Sequence, residues 1–425
     1  FETYAPVAHY STIRILLSII NKFDLFTLQM DVSNAFLHGD LQEDIYMKWP
    51  PGFENTNNNH VLKLNRTLYG LKQAPRAWNA RIDSALRRLS FVACQSDRCL
   101  YHLINGNFKT YLLIYVDDLI IASNDNNVLN HVKHELQLEF NMKDLGSLHN
   151  FLGIKIERNS NGMILSQKTY INRILARFGM ADCKPTKTPM ETGYSPSATS
   201  SPSIIGHKPY RELIGCLMHL MLATRPDIGF AVTFHSRFQS SATEENWTSA
   251  KRILRYLRGS IDFGLHFPKD CDVVLTAYAD SDWANDTSRK STSGFLIQIF
   301  GAAVSWSSRK QSITALSSTE AEFVALASAV AETVWIIGLL REISIDPGIP
   351  IVFEDNQGCI KNIQKWEQKR LKHVDIKYNF VRDFVNNNTI QVKYLSSELQ
   401  IADIFTKSLC GVKFQKFCNM LGITL

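Results

Sequence analysis

Tyr111-Leu-Leu-Ile-Tyr-Val-Asp-Asp-Leu-Ile-Ile-Ala122 places two adjacent carboxylates, Asp117 and Asp118, between two apolar, β-prone runs. That pattern predicts a hairpin with the acids at its tip. Burying one carboxylate without a partner is costly, and burying two like charges together is worse. A divalent cation resolves the conflict, and clustered Asp on a strand-turn-strand is what metal-assisted nucleotidyl transfer requires. An exposed, solvated Asp-rich turn is the commoner reading of Asp-Asp alone. The rest of the chain decides against it.

The chain has 425 residues, of which 45% are hydrophobic and 20% charged. That is the composition of a folded protein with room for two or three domains. A formal net charge of +6 is compatible with a polyanionic partner. Eight scattered Cys contain no Cys-x-x-Cys pair, so reduced thiols in an intracellular protein are expected, without zinc site or disulfide framework. The reading finds no apolar run of membrane-spanning length, no signal peptide and no membrane partner. The opening at Phe1 suggests a piece of a longer protein.

Residues 1–192 mix helical and strand patterns. Residues 86–91 read as the end of a helix from about Ala77, 108–121 as paired strands, and 127–140 as an amphipathic helix. Glu191-Thr-Gly-Tyr-Ser-Pro-Ser-Ala-Thr-Ser-Ser-Pro-Ser203 cannot bury a core and reads as a linker. From 210 to about 267 the pattern is helical, with Leu213, Leu217, Leu220 and Met221 in register. Arg252, Arg255 and Arg258 recur every third residue; a solvated face is the bland explanation and a phosphate-tracking stripe the sharper one. From near Asp272 the expected order is strands 273–279, 294–299 and 302–307, helix 319–341, strand 351–353, and helices 358–365 and 373–386. This is a mixed α/β order with a parallel crossover around the long helix.

A nucleotidyl-transfer site needs a third carboxylate, and Asp31 in Leu28-Gln-Met-Asp-Val-Ser-Asn-Ala-Phe36 is the candidate. With Phe36-Leu-His-Gly39 and Glu43-Asp-Ile-Tyr-Met47, this stretch resembles the first catalytic motif of the reverse transcriptase of copia-type (Pseudoviridae) retrotransposons. Leu68-Tyr-Gly-Leu-Lys-Gln-Ala-Pro-Arg-Ala-Trp78 resembles its template- and nucleotide-positioning motif, and Tyr115-Val-Asp-Asp118 its metal-binding hairpin. Phe140-Asn-Met-Lys-Asp-Leu-Gly146 and Phe151-Leu-Gly-Ile-Lys-Ile156 resemble the motifs near its primer grip. The joint order and spacing make the resemblance specific. It implies that Asp31, Asp117 and Asp118 are catalytic and hold two Mg²⁺, with Asp31 and Asp117 the more direct ligands. It implies too that Phe36 is a steric gate against a 2′-hydroxyl and that Lys72 and Gln73 contact template or nucleotide. A core Phe and a surface Lys are the bland alternatives. Phe1-Glu-Thr-Tyr-Ala-Pro-Val-Ala8 resembles a point inside the family's polymerase domain, so most of the fingers and its triphosphate grip are expected to be missing.

The C-terminal part has its own acids. In Tyr278-Ala-Asp-Ser-Asp-Trp-Ala284, Asp280 and Asp282 share a strand face, so periodicity cannot separate them. Ser317 and Glu320 have capping-box spacing, while Glu322 lies about 200° round the helix from Glu320 and borders the apolar stripe. Asp355 follows an apolar strand, where α/β folds place their sites. Asp403 lies in Ile401-Ala-Asp-Ile-Phe-Thr-Lys407. Taken singly, each acid reads better as a solvated or capping group. Together with Ser291-Thr-Ser-Gly294, Glu354-Asp-Asn356 and Lys372-His-Val-Asp-Ile-Lys-Tyr378 they resemble the ribonuclease H domain of the same polyproteins. That resemblance makes Asp280, Glu322, Asp355 and Asp403 the catalytic, metal-holding acids of an RNA–DNA hybrid nuclease. Cellular-type enzymes carry a mobile His before the last acid; Tyr394-Leu-Ser-Ser-Glu398 holds none. His373 is given no chemical role, and the Lys/Arg bias of 361–382 is a candidate hybrid-binding surface.

The resulting expectation is an α+β chain. A partial right-hand polymerase (palm with part of the fingers, thumb/connection helices) is followed by an α/β ribonuclease H-like domain. The boundaries are 1–192 for the polymerase, 193–209 linker, 210–271 connection, 272–410 ribonuclease H-like and 411–425 tail. Mg²⁺ is the implied cofactor, two per site, with Mn²⁺ acceptable to all-oxygen ligands. The implied partners are RNA template, DNA primer, RNA–DNA hybrid, deoxynucleoside triphosphates and other Pol or Gag-derived segments, in a cytoplasmic particle or the nucleus. An inactive nucleic-acid-binding descendant and a particle scaffold are the rival readings.

Overall fold

In the strand Phe26–Val32 the residues Leu28, Met30 and Val32 are buried on one face, which turns Gln29 and Asp31 to the other. The computed structural model describes residues 3–53, 60–195, 204, 206–284, 288–364 and 372–425. It folds as two compact units, residues 1–16 with 23–148, and residues 17–22 with 149–425.

The first unit holds a six-stranded antiparallel sheet in the order Val92–Ala93, Leu100–Asn105, Phe108–Tyr115, Asp118–Ser123, Phe26–Val32, Met142–Asp144. Trp78, Ile82 and Leu86 of helix Ala74–Arg88 join its core, as do Leu129, Val132 and Leu136 of helix Asn126–Glu139. Both series have the three-to-four-residue spacing of a buried helix stripe. Each buried Leu or Ile contributes roughly 1.5–3 kcal/mol. Helix Ala74–Arg88 begins earlier than the predicted Ala77 because Pro75 suits a first turn. It ends before Phe91, where Ser90 turns to φ 66. Asp125 caps the second helix by accepting from the Asn127 N–H at 2.7 Å.

The second unit contains two five-stranded sheets. One is antiparallel and runs Ile423–Thr424, Gly264–Pro268, Gly162–Ser166, Ile154–Asn159, Asn150–Phe151. The other runs Ala302–Lys310, Thr292–Ile299, Leu275–Asp282, Ile351–Glu354, Gln391–Tyr394. Its first three strands are antiparallel neighbours, and the last two join in parallel. Helix Ser318–Glu342 makes the crossover to Ile351–Glu354, with Phe323, Leu326, Val330 and Ile337 buried. Three antiparallel strands, a crossover helix and two parallel strands are the ribonuclease H-like arrangement.

Several expectations are corrected. The helical stretch predicted to 267 ends at Gly259, and Gly264–Pro268 is a strand whose Leu265 and Phe267 alternate into the interior. Arg252 and Arg255 are half-buried and Arg258 is exposed, but their guanidinium groups are also tied to the chain by hydrogen bonds that spacing alone does not predict. Arg252 donates to Glu191 at 2.8 Å and Thr188 at 3.2 Å, Arg255 to the Lys184 carbonyl at 2.8 Å, and Arg258 to the Ala181 carbonyl at 2.7 Å. Helix Ser318–Glu342 is long and apolar enough to cross a membrane by composition, contrary to the sequence reading, yet it is a largely buried core helix here. Residues 411–425 are not a loose tail: helix Gly411–Leu421 leads into Ile423–Thr424, which pairs with Gly264 and Leu265. Residues 196–203 and 205 of the predicted linker, and 365–371 of the predicted basic surface, lie outside the described residues.

Candidate active sites

The hairpin is built by strands Phe108–Tyr115 and Asp118–Ser123, paired at Tyr115↔Asp118. Val116 takes φ 59, a left-handed conformation that a β-branched residue adopts only under constraint. Trp78 supplies that constraint: its indole N–H donates to the Val116 carbonyl at 2.7 Å. The Val32 N–H donates to the Asp117 carbonyl at 2.9 Å, and Asp31 is the cross-strand partner of Asp118. Asp31, Asp117 and Asp118 are thus gathered at one end of adjacent interior strands, all half-buried. Burial, then Asp117 and Asp31, pushes the Asp118 carboxyl up to about 6.

Phe36 lies in the 3₁₀ turn Ala35–His38, half-buried against the core with its ring 4.9 Å from that of Tyr69. The Thr67 hydroxyl donates to the Phe36 carbonyl, and a Cβ on Gly39 would come within 2.6 Å of that hydroxyl, which explains a glycine there. Lys72 is exposed, and Gln73 precedes helix Ala74–Arg88 without capping it through its side chain. The structure therefore brings the three acids together, while no side-chain hydrogen bond or ion pair is seen for Lys72 or Gln73 among the described residues.

The second centre is assembled at one end of the mixed sheet. Asp280 lies two residues before the end of the central strand Leu275–Asp282, Asp355 follows the parallel strand Ile351–Glu354, and Asp403 lies in the 3₁₀ turn Ile401–Phe405. Gly294 lets that turn approach, since a Cβ there would meet Phe405 Cβ at 2.7 Å and Thr406 Cγ2 at 2.8 Å. Gln400 ties the turn to the sheet by donating to the Ala279 carbonyl at 2.9 Å. Carboxylate oxygens of Asp280, Asp355 and Asp403 lie within 4.8 Å of one another, and a second convergent set joins Glu322, Glu354 and Asp355. Among the described residues these are the acid groups that converge so closely; the first centre's acids and Asp282 belong to neither. Glu320 instead caps helix Ser318–Glu342, accepting from the Leu316 N–H at 2.7 Å while its own N–H donates to Ser317.

Asp280, Glu322, Glu354 and Asp403 are buried. Burial pushes Asp280 up to about 7, opposed by Lys407 and reinforced by Asp403. Burial, then Glu354, Asp280 and Asp355, holds the Glu322 carboxyl well above its ordinary value. Lys407 reaches Asp403 at 2.8 Å and Asp280 at 3.6 Å, and Lys413 reaches Asp403 at 2.5 Å. The Thr406 hydroxyl donates to Asp280, and that of Ser397 to Asp355 at 2.6 Å. Buried carboxylates in excess of their cations fit a divalent ion. Sequence reasoning missed Glu354, Lys407, Lys413, Ser397 and Gln400. For Glu354 the signal was present: it shares the buried strand face of Val352 and directly precedes Asp355.

The reverse transcriptase (RNA-dependent DNA polymerase) family matches residues 1–192. The chain is 39% identical over 435 residues to the retrovirus-related Pol polyprotein from transposon TNT 1-94 of Nicotiana tabacum, covering 99% of this chain and 33% of that protein. It is 39% identical over 430 residues to the corresponding RE1 polyprotein of Arabidopsis thaliana, covering 100% of this chain and 29% of that one. A transposon Ty5-1 protein of Saccharomyces cerevisiae is 36% identical over 307 residues, 71% of this chain and the relative's full length (100%). The chain thus spans about a third of the tobacco polyprotein and 29% of the Arabidopsis one. Among solved structures, a foamy viral protease–reverse transcriptase in complex with dsDNA matches with TM-score 0.54 and 15% identity, over 93% of this chain and 71% of that one. The same kind of protein with an RNA/DNA hybrid gives TM-score 0.53 at 14% identity, over 92% of this chain and 46% of that one. With its two acid centres and its reverse transcriptase and ribonuclease H-like folds, the chain belongs to the retrovirus-related Pol polyproteins of copia-type transposons.

Proposed function

We propose that the second centre is a ribonuclease acting on the RNA strand of an RNA–DNA hybrid and that the first is an RNA-directed DNA polymerase centre. The observation that carries this reading is the convergence of Asp280, Asp355 and Asp403 within 4.8 Å at the end of a ribonuclease H-like sheet. Asp280, Glu322, Asp355 and Asp403 would hold Mg²⁺ or Mn²⁺ at one centre, and Asp31, Asp117 and Asp118 at the other. Bound divalent ions supply Lewis acidity at the transferring phosphoryl and neutralise its developing charge.

The chain's own groups do the rest. Lys407 and Lys413 hold Asp403 in place, Thr406 orients Asp280, and Ser397 orients Asp355. At the first centre, Trp78 fixes the strained Val116 and so the direction of Asp117 and Asp118. Phe36 is placed to pack under a sugar and disfavour a 2′-hydroxyl, selecting deoxynucleoside triphosphates. Lys72 and Gln73 face template or nucleotide. Extension by these 425 residues alone is expected to be weak. We place the activity in a retrotransposon particle, with RNA template, DNA primer and other Pol or Gag-derived segments as partners. The lysine pairs on Asp403 favour one rival, a hybrid-binding protein without turnover, since they already neutralise part of the acid cluster.

One reaction tests both centres: a DNA primer on labelled RNA, with deoxynucleoside triphosphates and Mg²⁺. The expected outcome is RNA cutting that Asp403→Asn abolishes, with weak primer extension that Asp117→Asn abolishes. A folded protein that binds the hybrid and does neither would establish the rival.

A further inference from the structure

Glu354 belongs to no role assigned so far, yet its surroundings demand one. It ends the buried strand Ile351–Glu354 and is fully buried, at 0% exposure. Its Oε1 accepts from the Asn356 N–H at 3.0 Å, while its Oε2 is buried without a hydrogen-bond partner. Glu322, 7% exposed, likewise has a buried Oε2 without a partner. Ligand oxygens of Glu322, Glu354 and Asp355 all lie within 4.8 Å of one another. Two buried carboxylate oxygens without hydrogen-bond partners, in a group shared with a third acid, are expensive as anions, and the group stays ionised only where a cation lies among them.

The two acid groups differ in how they are compensated. The Asp280–Asp355–Asp403 group is paired with Lys407 and Lys413. Among the described residues, no ion pair joins a Lys or Arg to Glu322, Glu354 or Asp355; the side-chain groups that reach them are neutral hydroxyls, Ser397 donating to Asp355 at 2.6 Å and Ser281 beside Glu322. The acids without a cationic side-chain partner are therefore those of the second group. All three donors are hard carboxylate oxygens, the chemistry of Mg²⁺ and Mn²⁺ rather than of a soft metal.

We propose that Glu354 is a fifth carboxylate of this centre, completing with Glu322 and Asp355 a divalent-cation site that binds more tightly than the lysine-covered group around Asp403. This rests on the ribonuclease reading of the centre and deepens it: Glu354 is a ligand that the motif acids alone do not supply. Asp355, common to both groups, bridges them.

The probe is Mn²⁺ alone, titrated into the full chain and followed by loss of the free-ion electron paramagnetic resonance signal, with no nucleic acid present. Asp117→Asn/Asp118→Asn serves as the background, so that the first centre does not contribute. Glu354→Gln is expected to weaken the tight class of Mn²⁺ at least about ten-fold, the scale on which metal sites respond to lost support. Asp403→Asn should leave that class within about three-fold, and Asp355→Asn should remove it. Melting in EDTA checks the fold; a neutral isostere inside an acid cluster is expected to melt no lower than the parent. Should Glu354→Gln not fold, Glu354→Asp retains the charge but withdraws the oxygens, and must also weaken the tight class. Tight binding unchanged in Glu354→Gln or Glu354→Asp but lost in Asp355→Asn overturns the fifth ligand while the ribonuclease reading stands. Absence of any Mn²⁺ class sensitive to Asp355→Asn overturns both.

Discussion

Arg225 and His235 show what individual buried groups contribute. Arg225 is almost fully buried and forms a two-pronged pair with Asp227, the closest contact being 2.7 Å, while also donating to the Ser260 carbonyl at 3.1 Å and hydroxyl at 2.7 Å. Tyr256 donates a further bond to Asp227 at 2.7 Å. Arg225→Met leaves Asp227 buried and charged without its partner, so a loss of about 3–5 kcal/mol in denaturant unfolding is expected. His235 packs between the hydroxyls of Tyr210, 3.3 Å from Nδ1, and Ser249, 3.1 Å from Nε2, with the Tyr194 ring beside it. Burial lowers its pKa from 6.5 to about 4, so the folded protein holds it neutral. Above 6.5 it contributes no pH dependence, because folded and unfolded chains both carry it unprotonated. As the pH falls from 6.5 to 4, the unfolded chain takes up a proton that the folded one refuses. Stability should therefore drop by about 3 kcal/mol across that window. Denaturation curves of the parent and His235→Gln at several pH values check this, the variant showing the shallower slope.

At the scale of elements, the three arginines of helix Glu244–Gly259 act as a clamp on residues 181–191. Replacing Arg252, Arg255 and Arg258 together with Ala should speed amide exchange across 181–191 and change global stability by only about 1 kcal/mol, since these contacts are exposed. Unchanged exchange would refute the clamp. The same arginines show where sequence reading stops. Spacing put them on one helix face, but their partners, side chains for Arg252 and main-chain carbonyls for Arg255 and Arg258, lie about 60 to 80 residues away, which no local pattern encodes. The Asp-Asp hairpin, by contrast, was legible because two apolar runs and an acid pair are a local signal, and it appears as Phe108–Tyr115 and Asp118–Ser123. Helix 319–341 and the parallel crossover were legible for the same reason. Strand Gln391–Tyr394 was not, because its placement depends on parallel pairing with Ile351–Glu354 across a long connection. Glu354 fell between these cases. Its burial follows from strand period, but its meeting with Glu322 depends on how helix Ser318–Glu342 lies on the sheet.

For the molecule as a whole, each compact unit contains its own acid centre: Asp31, Asp117 and Asp118 in one, Asp280, Glu322, Asp355 and Asp403 in the other. The family relationship accounts for why both centres lie in one chain. The second carries the more complete chemistry, with convergent oxygens, buried acids and residues that orient them. Its reading as a hybrid-specific ribonuclease is the central claim. The direct measurement is cleavage of end-labelled RNA annealed to a longer DNA strand in Mg²⁺, by the parent and by Asp355→Asn, which removes the acid shared by both groups. The account predicts shortened RNA with the parent and intact RNA with Asp355→Asn. Intact RNA with a folded parent, or equal cleavage by both proteins, would contradict it.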